Sequence, residues 1–286
     1  MDPIITLTTD FGLLDEYAGV MKGVLLGRAP HARLVDLCHD VEPGNVARAA
    51  FLLQSAVPYF PAGTIHLAVV DPGVGTARNL LAMQAGGHIF LAPDNGLLTP
   101  FFSLDPGATA IYLDCPELYL HPVGTTFHGR DILAPVAAAL ACGVPLAGLG
   151  KVANRGCLEK LAGAALQIDR IHGTIIGSVL HTDRFGNLTT DIHQRDIAGL
   201  TQDPAAVQIF YKEKHIRGLS MAYGEHPPGA ALALIGSRGR LELAVNRDNA
   251  ARLLGGAVGD PVRVQTTGKK GTQDFSGLQT DSQQLS

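Results

Sequence analysis

Short apolar runs alternate with stretches of helical period through the first half of the chain. Ile4 to Thr8 reads as a buried strand, and the polar loop Thr9-Asp10-Phe11-Gly12 follows it. Asp15 can cap a helix reaching about Arg28, where Pro30 helps to stop it. Leu34 to Leu37 reads as a second strand, and Asn45 caps a second helix that runs to about Val57 before Pro58. Ile65 to Val70 is almost wholly apolar, as a strand covered on both faces must be. Leu80 to Met83 and His88 to Leu91 flank Ala85-Gly86-Gly87 as a hairpin, and a third helix is expected from about Asp131 to Gly143. The alternation predicts an α/β domain whose mainly parallel sheet is flanked by helices.

The texture changes after about Ala165. Ile171 to Leu180, Ala206 to Tyr211, Ala231 to Ile235, Leu241 to Val245 and Val262 to Gln265 read as strands between turn-rich segments. Short helices fit Arg195 to Leu200 and Asp248 to Leu253. A smaller, mainly-β C-terminal domain is expected, as an antiparallel sheet or barrel. The expected organisation is residues 1–163 as the α/β domain, with Lys151 to Gly163 as the linker, and 164–267 as the β-rich domain. The polar segment 268–286 is read as a disordered tail.

Composition narrows the function classes. The 286 residues are 46% hydrophobic and only 17% charged, with 34 Gly, so most of the chain can bury a core and is not disordered. A formal charge of -4 leaves no basic footprint for nucleic acid. No apolar run approaches the roughly 20 residues of a membrane helix, and the first residues do not read as a signal peptide. Cys38, Cys115, Cys142 and Cys157 are scattered without a CxxC pair, so neither a zinc knuckle nor a redox motif is indicated. A cytoplasmic protein is expected.

Candidate chemistry gathers where strands end. Asp71-Pro72-Gly73-Val74-Gly75-Thr76-Ala77-Arg78 puts a carboxylate, a Gly-rich loop and an arginine directly after the third strand, and Asp10 follows the first. Ligands of open parallel sheets bind at such strand ends, although Asp-Pro-Gly is also ordinary turn chemistry. The loop is not a dinucleotide fingerprint, because Arg78 stands where the third glycine belongs, and no phosphate-loop or GxSxG sequence occurs. His128, in Thr126-Phe127-His128-Gly129-Arg130-Asp131, can exchange a proton, ligate a metal or be a satisfied structural histidine. Pro93-Asp94-Asn95-Gly96 is an equally good turn or binding loop. In the second half, Asp183, Phe185 and Asn187 stand close together, and Phe185 could stack on a planar ring.

Together these segments resemble the S-adenosylmethionine hydroxide adenosyltransferases, relatives of the fluorinase and chlorinase. The resemblance is carried by Thr8 to Gly12, Val69 to Arg78, Ala92 to Thr99, Thr126 to Asp131, Asp183 to Asn187 and Ser237 to Asn246, in order from the first strand to about Arg263. It implies displacement of methionine from the ribose C5′ of S-adenosylmethionine by water or hydroxide, giving adenosine. It further implies Asp71, Arg78 and His128 as the groups that hold and activate the water, and Asp10 as the ribose ligand. Asn187, Ser237, Glu242 and Val245 fall at nucleoside contacts, with Phe185 as a stacking candidate, while Asp183 and Arg238 fall near the methionine end. No metal or dissociable cofactor is implied. A homotrimer is, with each site between one subunit's N-terminal domain and its neighbour's C-terminal domain.

Hydrolysis fits better than halogenation, because halogenating relatives carry Tyr at the position of Asp71 and the fluorinase carries Ser at that of Gly129. Gly44, Gly236 and Asp248 depart from the family pattern, standing for an aromatic, an Asn and a Gly. Two other readings are open from the residues: a metal-dependent hydrolase using Asp10, Asp71, Asp94 and His128, and a non-catalytic binder of adenosine or S-adenosylmethionine.

Overall fold

The computed structural model describes residues 2–161 and 166–266, and the expected tail at 268–286 lies outside them. The chain forms two compact units, divided between Gly163 and Ala164. Among the described residues no helix is long and apolar enough to cross a membrane.

The first unit runs β1 (Ile4–Thr9), α1 (Tyr17–Arg28), β2 (Arg33–Cys38), α2 (Val46–Ala56), β3 (Ile65–Val69), β4 (Leu80–Ala85), β5 (His88–Pro93), α3 (Thr99–Leu104), β6 (Thr109–Leu113), α4 (Ala134–Ala141) and β7 (Gly150–Val152). Its strands form one sheet in the order β2-β1-β3-β5-β4-β6-β7. The pairings β2–β1, β1–β3 and β3–β5 are parallel, and the other three are antiparallel. The sheet is therefore mixed rather than mainly parallel. The cause is local: Gly86 and Gly87 both take positive φ in a tight turn, which can only send β5 back alongside β4. β6 and β7 then add beyond β4, so Lys151 and Val152, expected in a linker, belong to an edge strand.

β3 is buried along its whole length, and its alternation divides it between two clusters. Leu67 and Val69 pack with Met21 of α1 and Val136 of α4, whereas Ala68 and Val70 pack with Leu53 of α2 and Phe101 of α3. The Asn45 side chain accepts from Arg48 N at 3.0 Å and so starts α2 as expected. The helix expected from Asp131 instead begins with a π-helical turn, Gly129–Leu133, before α4.

The second unit comprises β8 (Gln167–Asp169), β9 (Thr174–Thr182), β10 (Leu188–His193), α5 (Gln194–Ala198), β11 (Val207–Tyr211), β12 (Lys214–Arg217), β13 (Ala231–Ile235), β14 (Arg240–Val245), α6 (Ala250–Leu253) and β15 (Pro261–Thr266). The order is β12-β11-β15-β9-β10-β14-β13, with β8 on β9 and every pairing antiparallel. Ser220, just after β12, donates its N–H to Ala233 O of β13 at 2.8 Å, so the two edges of the sheet are drawn together. Val179, Ile192, Ile209, Leu243 and Val264 fill the interior.

Candidate active site

β1 and β3 are parallel neighbours with Thr9 opposite Val69, so Asp10 and Asp71 emerge at adjacent strand ends. The loop after β3 folds back on itself. Val74 N donates to Asp71 O at 3.2 Å, and Thr76 donates to Gly73 O from its N–H at 3.2 Å and from its hydroxyl at 2.7 Å. This returns Arg78 to the side of Asp71. Arg78 Nε donates to both carboxylate oxygens at 2.6 and 2.8 Å, and Nη2 donates to Oδ2 as well. The two side chains are only 10% and 6% exposed, so this ion pair is largely withdrawn from solvent screening.

The guanidinium extends the contact to His128. Nη1 and Nη2 lie 3.2 and 3.1 Å from His128 Nδ1. Arginine has only donors, so Nδ1 presents its lone pair and the neutral ring carries its proton on Nε2. Burial, and then the Arg78 charge, hold the imidazole pKa below its ordinary value against the opposing pull of Asp71 and Asp131.

Two features bring the His128 loop to this place. Gly75 sits at φ +80°, and a Cβ there would stand 2.7 Å from Thr125 O, so the loops can approach this closely only through a glycine. Phe127 packs edge-on against Phe11 and Tyr17, with centroids 5.6 and 5.3 Å away, which ties the His128 loop to the loop of Asp10. Asp10 Oδ2 itself accepts from Gly44 N at 2.8 Å. Gly44 takes φ +72°, a conformation an aromatic residue would adopt only under strain.

In the second unit, a cavity of about 820 Å³ opens beside β13 and β14. Asp183, Phe185 and Asn187 reach it from the β9–β10 loop, Ser237 and Arg238 from the β13–β14 turn, and Glu242 and Val245 from β14. Asp183 is also the organiser of its loop: Oδ1 accepts from the N–H groups of Phe185 and Asn187, both at 2.9 Å, and Oδ2 from Asn187 Nδ2 at 3.1 Å. Phe185 is 77% exposed, whereas Asn187 and Glu242 are buried.

Met221, Tyr223 and Arg247 also line this cavity, with no motif in the sequence to mark them. The Tyr223 hydroxyl donates to Glu242 Oε1 at 2.6 Å, and burial together with that carboxylate pushes its pKa well above the ordinary phenol range. Gly236, one of the three departures, leaves room for Glu242, because a Cβ there would lie 2.7 Å from Oε2. Asp248 lines the same cavity and accepts from Arg252 Nη2 at 2.5 Å. Among the described residues no three His, Cys, Asp or Glu side chains converge as metal ligands. Asp94 turns to the N–H of Glu159 at 3.0 Å instead of joining Asp71.

Two family models divide the chain in the same way. The family model described as the SAM hydroxide adenosyltransferase N-terminal domain matches residues 5–150, and the C-terminal domain model matches residues 177–263. A Thermus thermophilus protein named (R)-S-adenosyl-L-methionine hydrolase is 41% identical over 92% of this chain and all of its own length. A Salinispora arenicola protein of the same name is 39% identical over 92% of this chain and 97% of its own. The crystal structure of an uncharacterized conserved protein from Thermotoga maritima superposes with a TM-score of 0.85, at 34% identity, covering 91% of this chain and 99% of that one.

Proposed function

The chain belongs to the S-adenosyl-L-methionine (SAM) hydroxide adenosyltransferase family, and from that premise we propose how its residues hydrolyse SAM to adenosine and methionine. The single observation that carries the division of roles is the half-buried Asp71–Arg78–His128 chain, in which one guanidinium joins a carboxylate to a neutral imidazole. Relatives at 41% and 39% identity bear the name of an (R)-SAM hydrolase, which supports the (R) sulfonium epimer as the substrate.

The leaving group needs little help, since a sulfonium departs as a neutral thioether. We therefore assign no metal or cofactor to the step. The nucleophile is the difficulty: a hydrated, weakly nucleophilic water must be aimed in line with the breaking bond and relieved of a proton. Asp71 orients that water, and the Nε2–H of His128 donates to its oxygen. As the O–C5′ bond forms, the C5′–S electron pair passes to sulfur and the oxygen becomes an oxonium, which is far more acidic than a carboxylic acid. Transfer of its proton to Asp71 is then downhill. Arg78 offsets the charge of Asp71 and favours the more anionic oxygen. Asp10 takes the ribose hydroxyls with the oxygen that Gly44 leaves available. The cavity of the second unit holds the rest of the substrate, with the nucleoside at Asn187, Ser237, Glu242, Val245 and Phe185, and methionine at Asp183 and Arg238.

The test is incubation of the purified protein with each SAM epimer, following adenosine and methionine by chromatography. Asp71→Asn and His128→Ala should each lower turnover by roughly 10²-fold or more. Products unaffected by either substitution would overturn the assignment. Unchanged SAM after long incubation with the parent protein would favour a binding protein. The trimer with shared sites, which the family resemblance supports, is tested by mixing. Asp71→Asn and Asn187→Ala chains, each impaired alone, should regain activity when refolded together if one copy completes the site of another.

A further inference from the structure

The loop that carries Asp71 and Arg78 is clasped at both of its ends by a single neighbouring loop. Asn95 Nδ2 donates to the carbonyl of Val70, the residue before Asp71, at 2.8 Å. Asp94 N donates to the carbonyl of Asn79, the residue after Arg78, at 3.0 Å. Two consecutive residues thus fix where the loop leaves β3 and where it enters β4.

The clasp is itself braced. Asn95 Oδ1 accepts from Leu97 N at 3.3 Å, closing the turn on its own side chain. Asp94 is 7% exposed, and its carboxylate accepts from Glu159 N at 3.0 Å. Gly96, at φ +91°, lets the backbone of Leu161 come so close that a Cβ would meet its nitrogen at 2.6 Å. Nothing in this arrangement touches the carboxylate of Asp71 directly, and simple turn formation requires no bond to Val70.

We propose that Asn95 is a positioning residue for the reaction, acting through the Val70 peptide to hold Asp71 and Arg78 in register with His128. The proposal rests on the reading of Asp71 and Arg78 as the water-activating groups. A displacement of about 1 Å at such a site costs roughly 10²-fold in rate, which sets the scale of the effect.

Asn95→Ser separates the two functions of the side chain. A serine hydroxyl can still accept from Leu97 N, preserving the turn, but it is too short to reach Val70 O. Asn95→Ala removes both bonds. In each variant kcat should fall by roughly 10- to 100-fold at substrate saturation, with KM within about threefold of the parent. The acid limb of the kcat/KM profile should also move toward the ordinary imidazole value of 6.5, as Arg78 loosens from His128 and leaves it to Asp71 and Asp131. A kcat within about twofold of the parent would overturn the proposal. So would a loss that follows the folded fraction while the pH profile stays fixed, since that is what a merely structural residue does. Should Asn95→Ala fail to fold, Asn95→Ser carries the same readouts. Full activity in Asp71→Asn would remove the underlying reading instead, whatever the Asn95 variants do.

Discussion

Arg78 reaches past Asp71 to place both of its terminal nitrogens within hydrogen-bond distance of His128 Nδ1, at 3.2 and 3.1 Å. One planar side chain therefore sets the distance between a carboxylate and an imidazole that lie 57 residues apart in the chain (128 less 71). A lysine keeps the charge but offers one nitrogen where the guanidinium offers three. Arg78→Lys should lower kcat/KM by roughly 10²-fold. Chromatographic turnover assays check this, and activity close to the parent's would show that charge alone suffices.

The pH dependence follows from the same contact. Burial first and the Arg78 charge second disfavour protonation of His128, while Asp71 and Asp131 favour it, and the net shift is downward. The neutral ring is the form that accepts from Arg78, so activity should persist below 6.5 and fall only as the pH drops further. Arg78→Met removes the repelling charge and should move this acid limb upward. An acid limb already at or above 6.5 in the parent protein would contradict the assigned tautomer.

The parts of this architecture that were legible in sequence are those whose signal is local. β3 shows as an apolar run, α2 is announced by Asn45, and Asp71 and Arg78 stand in one short motif. β10 was not legible, because its buried positions include Thr189 and Thr190, at 1% and 0% exposure but polar in sequence. The hairpin at Gly86 and Gly87 was legible, but β6 and β7, which add antiparallel beyond β4, were not, so the alternation of strands and helices suggested more parallel pairing than exists. Tyr223 lies in a short 3-10 turn between strands, and only the tertiary fold brings its hydroxyl to Glu242. Motif order could place Asp10, Asp71 and His128 in one family pattern. It could not show that Arg78 bonds both Asp71 and His128, which is a property of how the loop turns back.

Tyr223 offers a test of the cavity in the second unit. Its hydroxyl occupies one oxygen of the buried Glu242, so Tyr223→Phe leaves a buried carboxylate short of a donor. Loss of a hydrogen bond to a charged group should lower stability by about 1.5–3 kcal/mol, and a Glu242 no longer held in place should raise KM by roughly 10-fold with kcat little changed. Steady-state kinetics with SAM separates the two constants. A fall in kcat at constant KM would place Tyr223 with the chemistry rather than with binding.

Acid sensitivity should originate elsewhere, at His66. This ring is fully buried, with Thr6 Oγ1 2.8 Å from Nδ1, His88 Nδ1 3.3 Å from Nε2 and Phe90 stacked on its face. Burial, with a smaller contribution from His88, lowers its pKa from 6.5 to about 3. The unfolded chain therefore binds this proton below 6.5 while the folded chain refuses it. The stabilisation is complete above 6.5 and is lost progressively as the pH falls toward about 3. At about 1.4 kcal/mol per unit, the effect reaches a few kcal/mol. Denaturant midpoints measured across this range should decline in the parent and decline less in His66→Gln. Parallel curves would assign acid unfolding to other groups.

Gly129 bears on the preference for water over halide that the family resemblance implies. A Cβ at this position would lie 3.2 Å from Val69 Cγ1, 3.3 Å from Met21 Sδ and 3.5 Å from the Phe127 ring. Met21 is flexible and can give way. Val69 is β-branched, held in the centre of the sheet, and cannot. A serine here, which the resemblance assigns to the fluorinase, would therefore press on β3 just before Asp71 and on the residue next to His128, and it would also need a partner for its hydroxyl in a buried place. Gly129→Ser should cost about 1–3 kcal/mol of stability, as overpacked cores do, and should slow hydrolysis by displacing His128. It should not create a halide site, because Asp71 and Arg78 still fill the neighbouring space with a carboxylate that repels an anion. Thermal midpoints and chromatography in the presence of chloride or fluoride test both halves. An unchanged midpoint together with a halogenated nucleoside product would show that the glycine alone had excluded halide.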